Sequence, residues 1–148
     1  IAMPDAVLVA NKERAQDVKK VVELLKNKDI TQAEFSSKDY RPWGWFQSLA
    51  LGDRFQVKRI CVMPGGKLSL QSHNHRSEHW VVVVGTAKVT IEDEVKLVPE
   101  GHSVYVPLGV KHRMENPGEL PMLLIEVMIG TYLGEDDIIR YDDIYSRK

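Results

Sequence analysis

The sequence is poor in cysteine, in net charge and in long apolar runs, and each shortage excludes a class of protein. Cys61 is the only cysteine in 148 residues, which excludes an internal disulfide framework and fits a reducing compartment, so we expect a cytoplasmic protein. The 20 Lys and Arg residues nearly balance the 21 Asp and Glu residues, giving a net charge of −1. Nucleic-acid-binding domains usually carry a clear basic excess, and we therefore expect no nucleic-acid partner.

Apolar segments are also too short for a membrane protein. The longest near the C-terminus, Leu120 to Ile129, includes Pro121 and Glu126 and is far shorter than the ~20 residues of a spanning helix. The first ten residues lack the basic start of a secretory signal. We expect no membrane association, and because the first residue is Ile1 rather than Met, we expect a piece of a longer chain.

The N-terminal part has the pattern of a strand followed by a helix. Residues 5–10 are mostly apolar and predict a short strand. Asn11 is a suitable helix N-cap, and the spacing of the apolar residues Val18, Val21, Val22 and Leu25 predicts a helix within residues 12–27. The polar composition of residues 31–40 predicts a linker to the next domain.

Residues 45–129 have a different pattern. Short segments rich in Val, Ile, Trp and Tyr alternate with turn signals, among them Pro64-Gly65-Gly66, Pro99-Glu100-Gly101 and Asn116-Pro117-Gly118. Many short strands at such spacing predict an all-β sandwich or barrel. The tail, residues 131–148, is predicted either as a short helix or as an extended arm that covers the barrel.

The histidines indicate a metal site. Gln71, His73 and His75 alternate, so a strand through them would place all three side chains on one face. Neutral imidazole is the commonest metal ligand in proteins, and Glu78 and His112 are further candidate ligands. Such a set suits a divalent ion of zinc, manganese, cobalt, nickel or iron, and Gln71 is an alternative ligand on the same predicted face.

Two segments resemble the motifs of the cupin family. Residues 101–116 match the second cupin motif, G-x5-P-x-G-x2-H-x3-N, at every fixed position, and residues 73–85 resemble the first motif. Counting back from Gly85 selects Glu78 as the carboxylate ligand, whereas counting forward from His75 selects His79. Neighbours on a strand face opposite sides, and we choose Glu78 because the register of the following strand is the firmer anchor.

The resemblance narrows to one family. Five segments together resemble the C-terminal domain of the bifunctional mannose-1-phosphate guanylyltransferase/mannose-6-phosphate isomerases, the type II phosphomannose isomerases. These segments are Arg41-Pro-Trp-Gly44, Leu68-Ser-Leu-Gln71, His75-Arg-Ser-Glu-His-Trp80, Gly85-Thr-Ala87 and Glu135-Asp-Asp-Ile-Ile-Arg140. The resemblance implies an all-β cupin (double-stranded β-helix, jelly-roll barrel) in residues 31–148. It also implies that residues 1–30, a short strand-helix segment, end a nucleotidyltransferase domain.

The family implies a metal-dependent interconversion of mannose 6-phosphate and fructose 6-phosphate, in a parent chain that also makes GDP-mannose. A divalent metal on His73, His75, Glu78 and His112 would act as a Lewis acid for the sugar carbonyl. His79 is the candidate catalytic base by residue type, and Glu78 could be the base only if it is not a ligand.

The phosphate of such a substrate needs cationic side chains. The resemblance points to Arg140 and Arg147, and arginine offers a fork of donors that suits phosphate oxygens. Lys67, just before the histidine segment, and Arg76, just after it, are weaker candidates. The three tryptophans could stack on a sugar, although packing in the core is the favoured interpretation.

Two other functions stay open at this point. One is a non-catalytic cupin that binds a sugar or sugar nucleotide and regulates or dimerises the transferase. The other is a cupin dioxygenase, because a fold alone does not give a function. Chelation distinguishes a non-catalytic module from an isomerase, because it would remove turnover from the isomerase but would lower only the stability of the module. Cupins commonly dimerise through sheet edges, which hides exposed strand backbone, and the family therefore implies a homodimer.

Overall fold

The chain divides into an N-terminal unit, Ile1–Asp39, and a C-terminal unit, Tyr40–Lys148. The computed structural model describes residues 7–28, residue 30 and residues 38–145. In the N-terminal unit the Asn11 side chain accepts a hydrogen bond from the backbone N–H of Glu13 and begins a 3-10 helix, Lys12–Asp17. This helix continues into helix α1, Val18–Lys26, so the helix predicted within residues 12–27 is confirmed, in two parts.

Two predictions for the N-terminal unit need correction. Residues 5 and 6 of the predicted strand lie outside the described residues, Val7 forms a single β-bridge, and residues 8–10 are irregular. One bridge does not order its neighbours as a hydrogen-bonded ladder does. Residues 31–37 of the predicted linker also lie outside the described residues, whereas residues 39 and 40 already belong to the first strand.

Eleven strands are described, and they form two sheets. The six-stranded sheet has the order β1-β2-β3-β10-β5-β8, and the five-stranded sheet has the order β11-β4-β9-β6-β7. The all-β prediction is confirmed. The strands are β1 Asp39–Arg41, β2 Gly44–Gly52, β3 Phe55–Val62, β4 Leu70–His73, β5 Arg76–Val84, β6 Thr86–Ile91, β7 Glu94–Pro99, β8 Ser103–Val106, β9 His112–Glu115, β10 Met122–Gly130 and β11 Ile138–Asp142.

Strand alternation decides which side chains of the six-stranded sheet face inward. In β5, Glu78, Trp80 and Val82 are buried, whereas the intervening His79 and Val81 are exposed. Strand β10 lies between β5 and β3 with the same period, and its residue Glu126 is opposite Trp80 on one side and Lys58 on the other. The period of two therefore brings charged residues, as well as apolar ones, to the inner face.

The core lies on the inner faces of the strands. It is mainly aliphatic, as expected for strands rich in Val and Ile. Trp80 is 2% exposed and Trp43 is 5% exposed, so both pack in the core, whereas Trp45 is half-buried with the Arg59 guanidinium 5.4 Å from its ring centre. The core cluster contains Trp43, Ile60, Val62, Trp80, Val82, Ala87, Val89, Val98, Val104, Val106, Met114, Met122 and Leu124.

The tail is an extended arm rather than a helix. After a 3-10 turn at Glu135–Asp137, β11 pairs antiparallel with β4, so that Ile138 lies opposite His73 and Arg140 lies opposite Gln71. The arm thus forms the edge of the five-stranded sheet, beside the strand that carries His73. Over the described residues, no helix is long and apolar enough to cross a bilayer.

Candidate metal centre and adjoining cleft

His73, Glu78 and His112 meet inside the barrel. His73 Nε2 lies 3.0 Å from Glu78 Oε1, and His112 Nε2 lies 3.7 Å from Glu78 Oε2. The centres of the two imidazole rings are 4.9 Å apart, and one ligand atom from each residue lies within 4.8 Å of the other two. All three side chains are at least 98% buried, so the cluster is a group of polar side chains enclosed in the core.

Three strands and one loop fix this cluster. His73 ends β4, Glu78 lies in β5 and His112 begins β9. The backbone N–H of Gly109 donates to the His73 carbonyl at 2.8 Å, which ties the loop before His112 to the strand that carries His73. Gly109 has a φ of +79°, a conformation that glycine adopts without steric cost. The glycine of the second cupin motif therefore helps to bring the two histidines together.

The donor set fits a divalent metal ion. The Nδ1–H of His112 donates to the Val110 carbonyl at 2.8 Å, which leaves Nε2 as the free lone pair. His112 Nε2 and His73 Nδ1 are buried without a hydrogen-bond partner, and His73 Nε2 has only the Glu78 carboxylate beside it, at 3.0 Å. Such orphaned nitrogens destabilise a core unless something binds them. Imidazole nitrogens with a carboxylate suit zinc and several other divalent transition metals.

The protonation states also suit a metal. Burial lowers the pKa of His112, although the Glu78 carboxylate opposes this shift, so the ring is neutral at pH 7. Burial of Glu78 opposes its ionisation, but the nearby His73, His112 and Arg76 side chains outweigh burial and lower its pKa to about 2. Metal ions bind neutral imidazole and ionised carboxylate.

His75 lies outside this cluster, contrary to the expectation from alternation. Strand β4 ends at His73 and β5 begins at Arg76, so His75 lies in the turn between them and does not share a strand face with His73. Its ring Nδ1 donates to Asp137 Oδ1 at 2.7 Å, and its side chain is 54% exposed. Asp137 also accepts the backbone N–H groups of Asn74 and His75. His75 therefore anchors the tail to this turn.

His79 faces away from the cluster. It follows the inward-facing Glu78 in β5, so its side chain lies on the outer face of the sheet, where its ring centre is 4.6 Å from that of Tyr105. From this position it cannot reach a substrate bound beside Glu78. The prediction of His79 as catalytic base is therefore not supported by its place in the fold, and the strand period is the physical reason.

A cleft of about 520 Å³, including its mouth, adjoins the cluster at Glu78. Its lining combines charged and aromatic side chains of the C-terminal unit. The lining residues are Arg41, Trp43, Phe46, Lys58, Ile60, Leu68, Ser69, Gln71, Arg76, Glu78, Glu126, Met128, Glu135, Ile138 and Arg140.

The four cations of the lining are Arg41, Lys58, Arg76 and Arg140. Lys58 Nζ lies 2.6 Å from Glu135 Oε1, and Arg76 Nε donates to Glu78 Oε1 at 3.3 Å. Arg140 Nε is buried without a hydrogen-bond partner. A buried guanidinium N–H without an acceptor favours an anionic ligand in the cleft.

The other predicted phosphate contacts have different positions. Lys67 does not line the cleft: it bridges to Glu115 through the backbone, and its Nζ lies 3.8 Å from the Glu115 carboxylate. The Lys67 ammonium is therefore paired with a carboxylate outside the cleft. Arg147 lies outside the described residues, and Arg76, a weaker candidate by sequence, lines the cleft.

Glu126 is a cleft residue that the sequence reasoning missed. Its carboxyl is 7% exposed, and the indole N–H of Trp80 donates to it at 3.2 Å while also reaching Glu78 at 3.1 Å. Burial, followed by repulsion from Glu78, raises the pKa of Glu126 to about 8. In the sequence, Glu126 is the one charged residue of the otherwise apolar segment Met122–Gly130. A charge in such a segment was the only indication of a functional residue.

This raised pKa predicts a loss of stability at mildly alkaline pH. In the unfolded chain Glu126 ionises near pH 4.5, whereas in the folded chain it keeps its proton until about pH 8. The folded state then binds more protons, so stability falls as the pH rises through this window. Between pH 7 and 8.5 we expect the metal-free protein to lose about 1 kcal/mol relative to Glu126→Gln.

Urea unfolding at a series of pH values measures this difference. Glu135→Gln is the matched control, because Lys58 lowers the pKa of Glu135 against the effect of burial and this carboxyl is already ionised at pH 7. Its pH dependence should follow that of the wild type. Parallel curves for wild type and Glu126→Gln would contradict the assignment of a protonated Glu126.

Gln71, which the sequence suggested only as an alternative ligand, is a second cleft residue. It lines the cleft, accepts a hydrogen bond from Ser69 Oγ at 2.8 Å, and lies opposite His112 in the β4–β9 pairing. Counted from Gly65, the segment reads Gly65-x5-Gln71-x-His73-x4-Glu78-x6-Gly85. Gln71 and His73 are two residues apart on β4, so the period of the strand places both side chains on one face.

Comparison with protein families finds a match over most of the chain. The family model described as "Mannose-6-phosphate isomerase C-terminal" matches residues 27–143. A second model, described as "MannoseP isomerase/GMP-like beta-helix domain", matches residues 1–25.

Two curated relatives and one solved structure illustrate the likeness. "Xanthan biosynthesis protein XanB" of Xanthomonas campestris pv. campestris (strain B100) is 57% identical over 143 residues, which cover 97% of this chain and 31% of the relative. "Mannose-1-phosphate guanylyltransferase" of Escherichia coli (strain K12) is 54% identical and covers 97% of this chain and 30% of the relative. The chain thus spans less than a third of the length of these relatives.

The solved structure is an RmlC-like cupin from Shewanella frigidimarina NCIMB 400. It superimposes with a TM-score of 0.60 at 24% identity, covering 70% of this chain and 89% of that one. A likeness at this identity shows the fold alone. It confirms the prediction of an all-β cupin fold.

Proposed function

Since the chain belongs to the family of mannose-6-phosphate isomerase C-terminal domains, we propose that it interconverts mannose 6-phosphate and fructose 6-phosphate with a divalent metal ion. The observation that carries this proposal is the buried group of His73, Glu78 and His112, which adjoins a cleft lined by four cations. The group has the chemistry of a metal centre, and the cleft has the charge that a sugar phosphate needs.

The reaction moves a proton between C2 and C1 of the open-chain sugar. His73, Glu78 and His112 would hold the metal, with Gln71 as the fourth side chain. When bound, the metal ion supplies Lewis-acid stabilisation of negative charge on the sugar oxygens. Zinc, manganese, cobalt, nickel and iron all suit this donor set.

The cationic side chains of the cleft would bind and orient the substrate. Arg140, whose Nε is buried without a partner, would bind the phosphate. Trp43 also lines the cleft, and its indole N–H is buried without an acceptor, so a sugar hydroxyl could accept it. Arg147, outside the described residues, stays a proposed second phosphate contact on the family resemblance.

The wider setting of the domain is part of the same proposal. We propose that residues 1–30 end a nucleotidyltransferase domain, that residues 31–148 form the isomerase domain, and that the parent protein makes GDP-mannose in the cytoplasm. The 54% identity with a mannose-1-phosphate guanylyltransferase supports this. We also propose a homodimer, supported by the exposed apolar side chains of Val81, Val83 and Ile129 on the outer face of the six-stranded sheet.

Conversion of mannose 6-phosphate to fructose 6-phosphate by this chain tests the proposal. We expect turnover when the protein is loaded with Mn²⁺, Co²⁺ or Zn²⁺. We expect its loss after chelation and its return when the metal is restored. Mannose 1-phosphate is the matched control substrate, because the phosphate on its anomeric oxygen prevents the sugar ring from opening. If the folded, metal-loaded chain and the full-length parent protein both lack turnover, the isomerase is rejected and the non-catalytic sugar-binding module is favoured.

A further inference from the structure

The cleft needs a group that can take a proton from a sugar carbon. This inference rests on the proposed function, in which a proton moves between C2 and C1. His79 lies on the outer face of β5 and is excluded by its position. Among the described side chains that line the cleft, the carboxyl groups belong to Glu78, Glu126 and Glu135.

Two of these carboxyl groups have other partners. Glu78 lies within 3.7 Å of both histidine rings of the metal centre and also accepts the Arg76 guanidinium. Glu135 contacts the Lys58 ammonium at 2.6 Å, and its side chain is 50% exposed. A solvated carboxylate paired with a cation is a weak base, because the cation stabilises the ionised form.

Glu126 has neither a metal-centre role nor a hydrogen-bonded cation. Within the described part of the chain, the Trp80 indole is the one group that donates a hydrogen bond to its carboxyl. An indole N–H is a donor only, so it orients the carboxyl without supplying or removing a proton. The same N–H reaches Glu78 Oε2 at 3.1 Å, so Trp80 holds Glu126 beside the metal centre.

This arrangement is costly for folding. A buried carboxyl that faces a second carboxyl and has no hydrogen-bonded cation lowers stability. Glutamine would fill a similar volume and accept the same indole hydrogen bond without a group that can ionise beside Glu78. Groups that weaken a fold in this way are typical of active sites, where function opposes stability.

We propose that Glu126 is the proton-transfer residue of the cleft. Glu126 first loses the proton that it holds in the metal-free protein, and its carboxylate then takes the proton from C2 of open-chain mannose 6-phosphate. The C2–H electron pair then forms the C1–C2 double bond, and a pair from the C1 carbonyl moves to O1. The protonated carboxyl returns its proton to C1, the O2 proton is lost as the carbonyl forms at C2, and O1 gains a proton. The step balances without a co-reactant.

Glu126→Gln tests this role in the metal-loaded chain, with Glu115→Gln, a partly buried carboxyl that does not line the cleft, as the control whose kinetics should match those of wild type. We expect kcat of Glu126→Gln to fall by at least about 100-fold, while the Mn²⁺ affinity measured by calorimetry and KM stay within about threefold of wild type. Incorporation of solvent deuterium at C1, followed by NMR in D₂O, should fall in parallel. Glu126→Asp keeps a carboxyl and should retain more activity than Glu126→Gln.

The outcomes separate this inference from the proposed function. Active wild type with an equally active Glu126→Gln overturns the role of Glu126 alone. A loss of activity that follows a loss of Mn²⁺ binding overturns it as well, because Glu126 would then act through the metal centre. An inactive, metal-loaded wild type overturns the isomerase proposal and, with it, this step.

Discussion

Replacing His73 with leucine is expected to remove metal binding and to reduce kcat/KM for mannose 6-phosphate by about 10³-fold or more. Loss of residues that merely orient metal ligands already costs roughly 10- to 100-fold in metal affinity or activity, and His73 would be a ligand itself. Leucine fills most of the imidazole volume. His73 Nδ1 has no hydrogen-bond partner to lose, and Glu78, which Nε2 contacts, still accepts the Arg76 and Trp80 N–H groups, so we expect the fold to persist.

His75→Leu is the matched control for this substitution. His75 is the other histidine of the same motif, but its ring contacts Asp137 and is 54% exposed. We expect its Mn²⁺ affinity to stay within about threefold of wild type. Calorimetric titration of the metal-free proteins with Mn²⁺ measures both variants. If His75→Leu lost the metal and His73→Leu kept it, the arrangement of the centre would be wrong.

The contrast between these histidines shows the limit of predicting side-chain direction from strand alternation. Period-two alternation correctly predicts that Glu78 points inward and His79 outward, because β5 runs unbroken from Arg76 to Val84. The same rule fails between His73 and His75, because the chain turns at Asn74. That turn is held by hydrogen bonds to Asp137, a residue in the distant tail. A local pattern carries no information about such a partner.

Cleft residues show a second limit of the sequence. Lys58, Glu126 and Arg140 come from β3, β10 and β11 and meet only because β10 lies between β3 and β5 and because β11 lies beside β4. The all-β class and the turns follow from composition and local chemistry. Strand order depends on pairings between residues far apart in sequence, so a single sequence gives no direct means of deriving this cleft.

Several inward-facing positions near the metal centre carry charged side chains, which lowers the stability that apolar side chains would give there. Lys58, Arg76, Glu78 and Glu126 occupy inward positions that a purely stabilising sequence would fill with apolar side chains. Their charges partly compensate one another: Arg76 contacts Glu78, and Lys58 contacts Glu135. Glu126 and the Arg140 Nε lack such compensation, and both line the cleft. Within the cleft, these two groups are therefore available to a ligand.

Replacing Arg140 with glutamine is expected to reduce kcat/KM for mannose 6-phosphate by roughly 30- to 5,000-fold. Loss of one partner of a desolvated, hydrogen-bonded charge pair costs about 2–5 kcal/mol, and steady-state kinetics of the metal-loaded chain measures the change. We expect most of the loss in KM, because a contact with the phosphate is made in both ground state and transition state. Competitive inhibition by inorganic phosphate should weaken in parallel.

Arg59→Gln is the control for loss of a guanidinium. Arg59 lies on β3 next to the inward-facing Lys58, so it faces outward, where it contacts Gln47 and the Trp45 ring. We expect its kinetics to match those of wild type. The metal affinity of Arg140→Gln should also be unchanged, because Arg140 contacts none of the three ligand side chains through a hydrogen bond or ion pair in the described part of the structure. An unchanged KM in Arg140→Gln would place the phosphate at another cation of the cleft, with Arg41 and Lys58 the next variants to test.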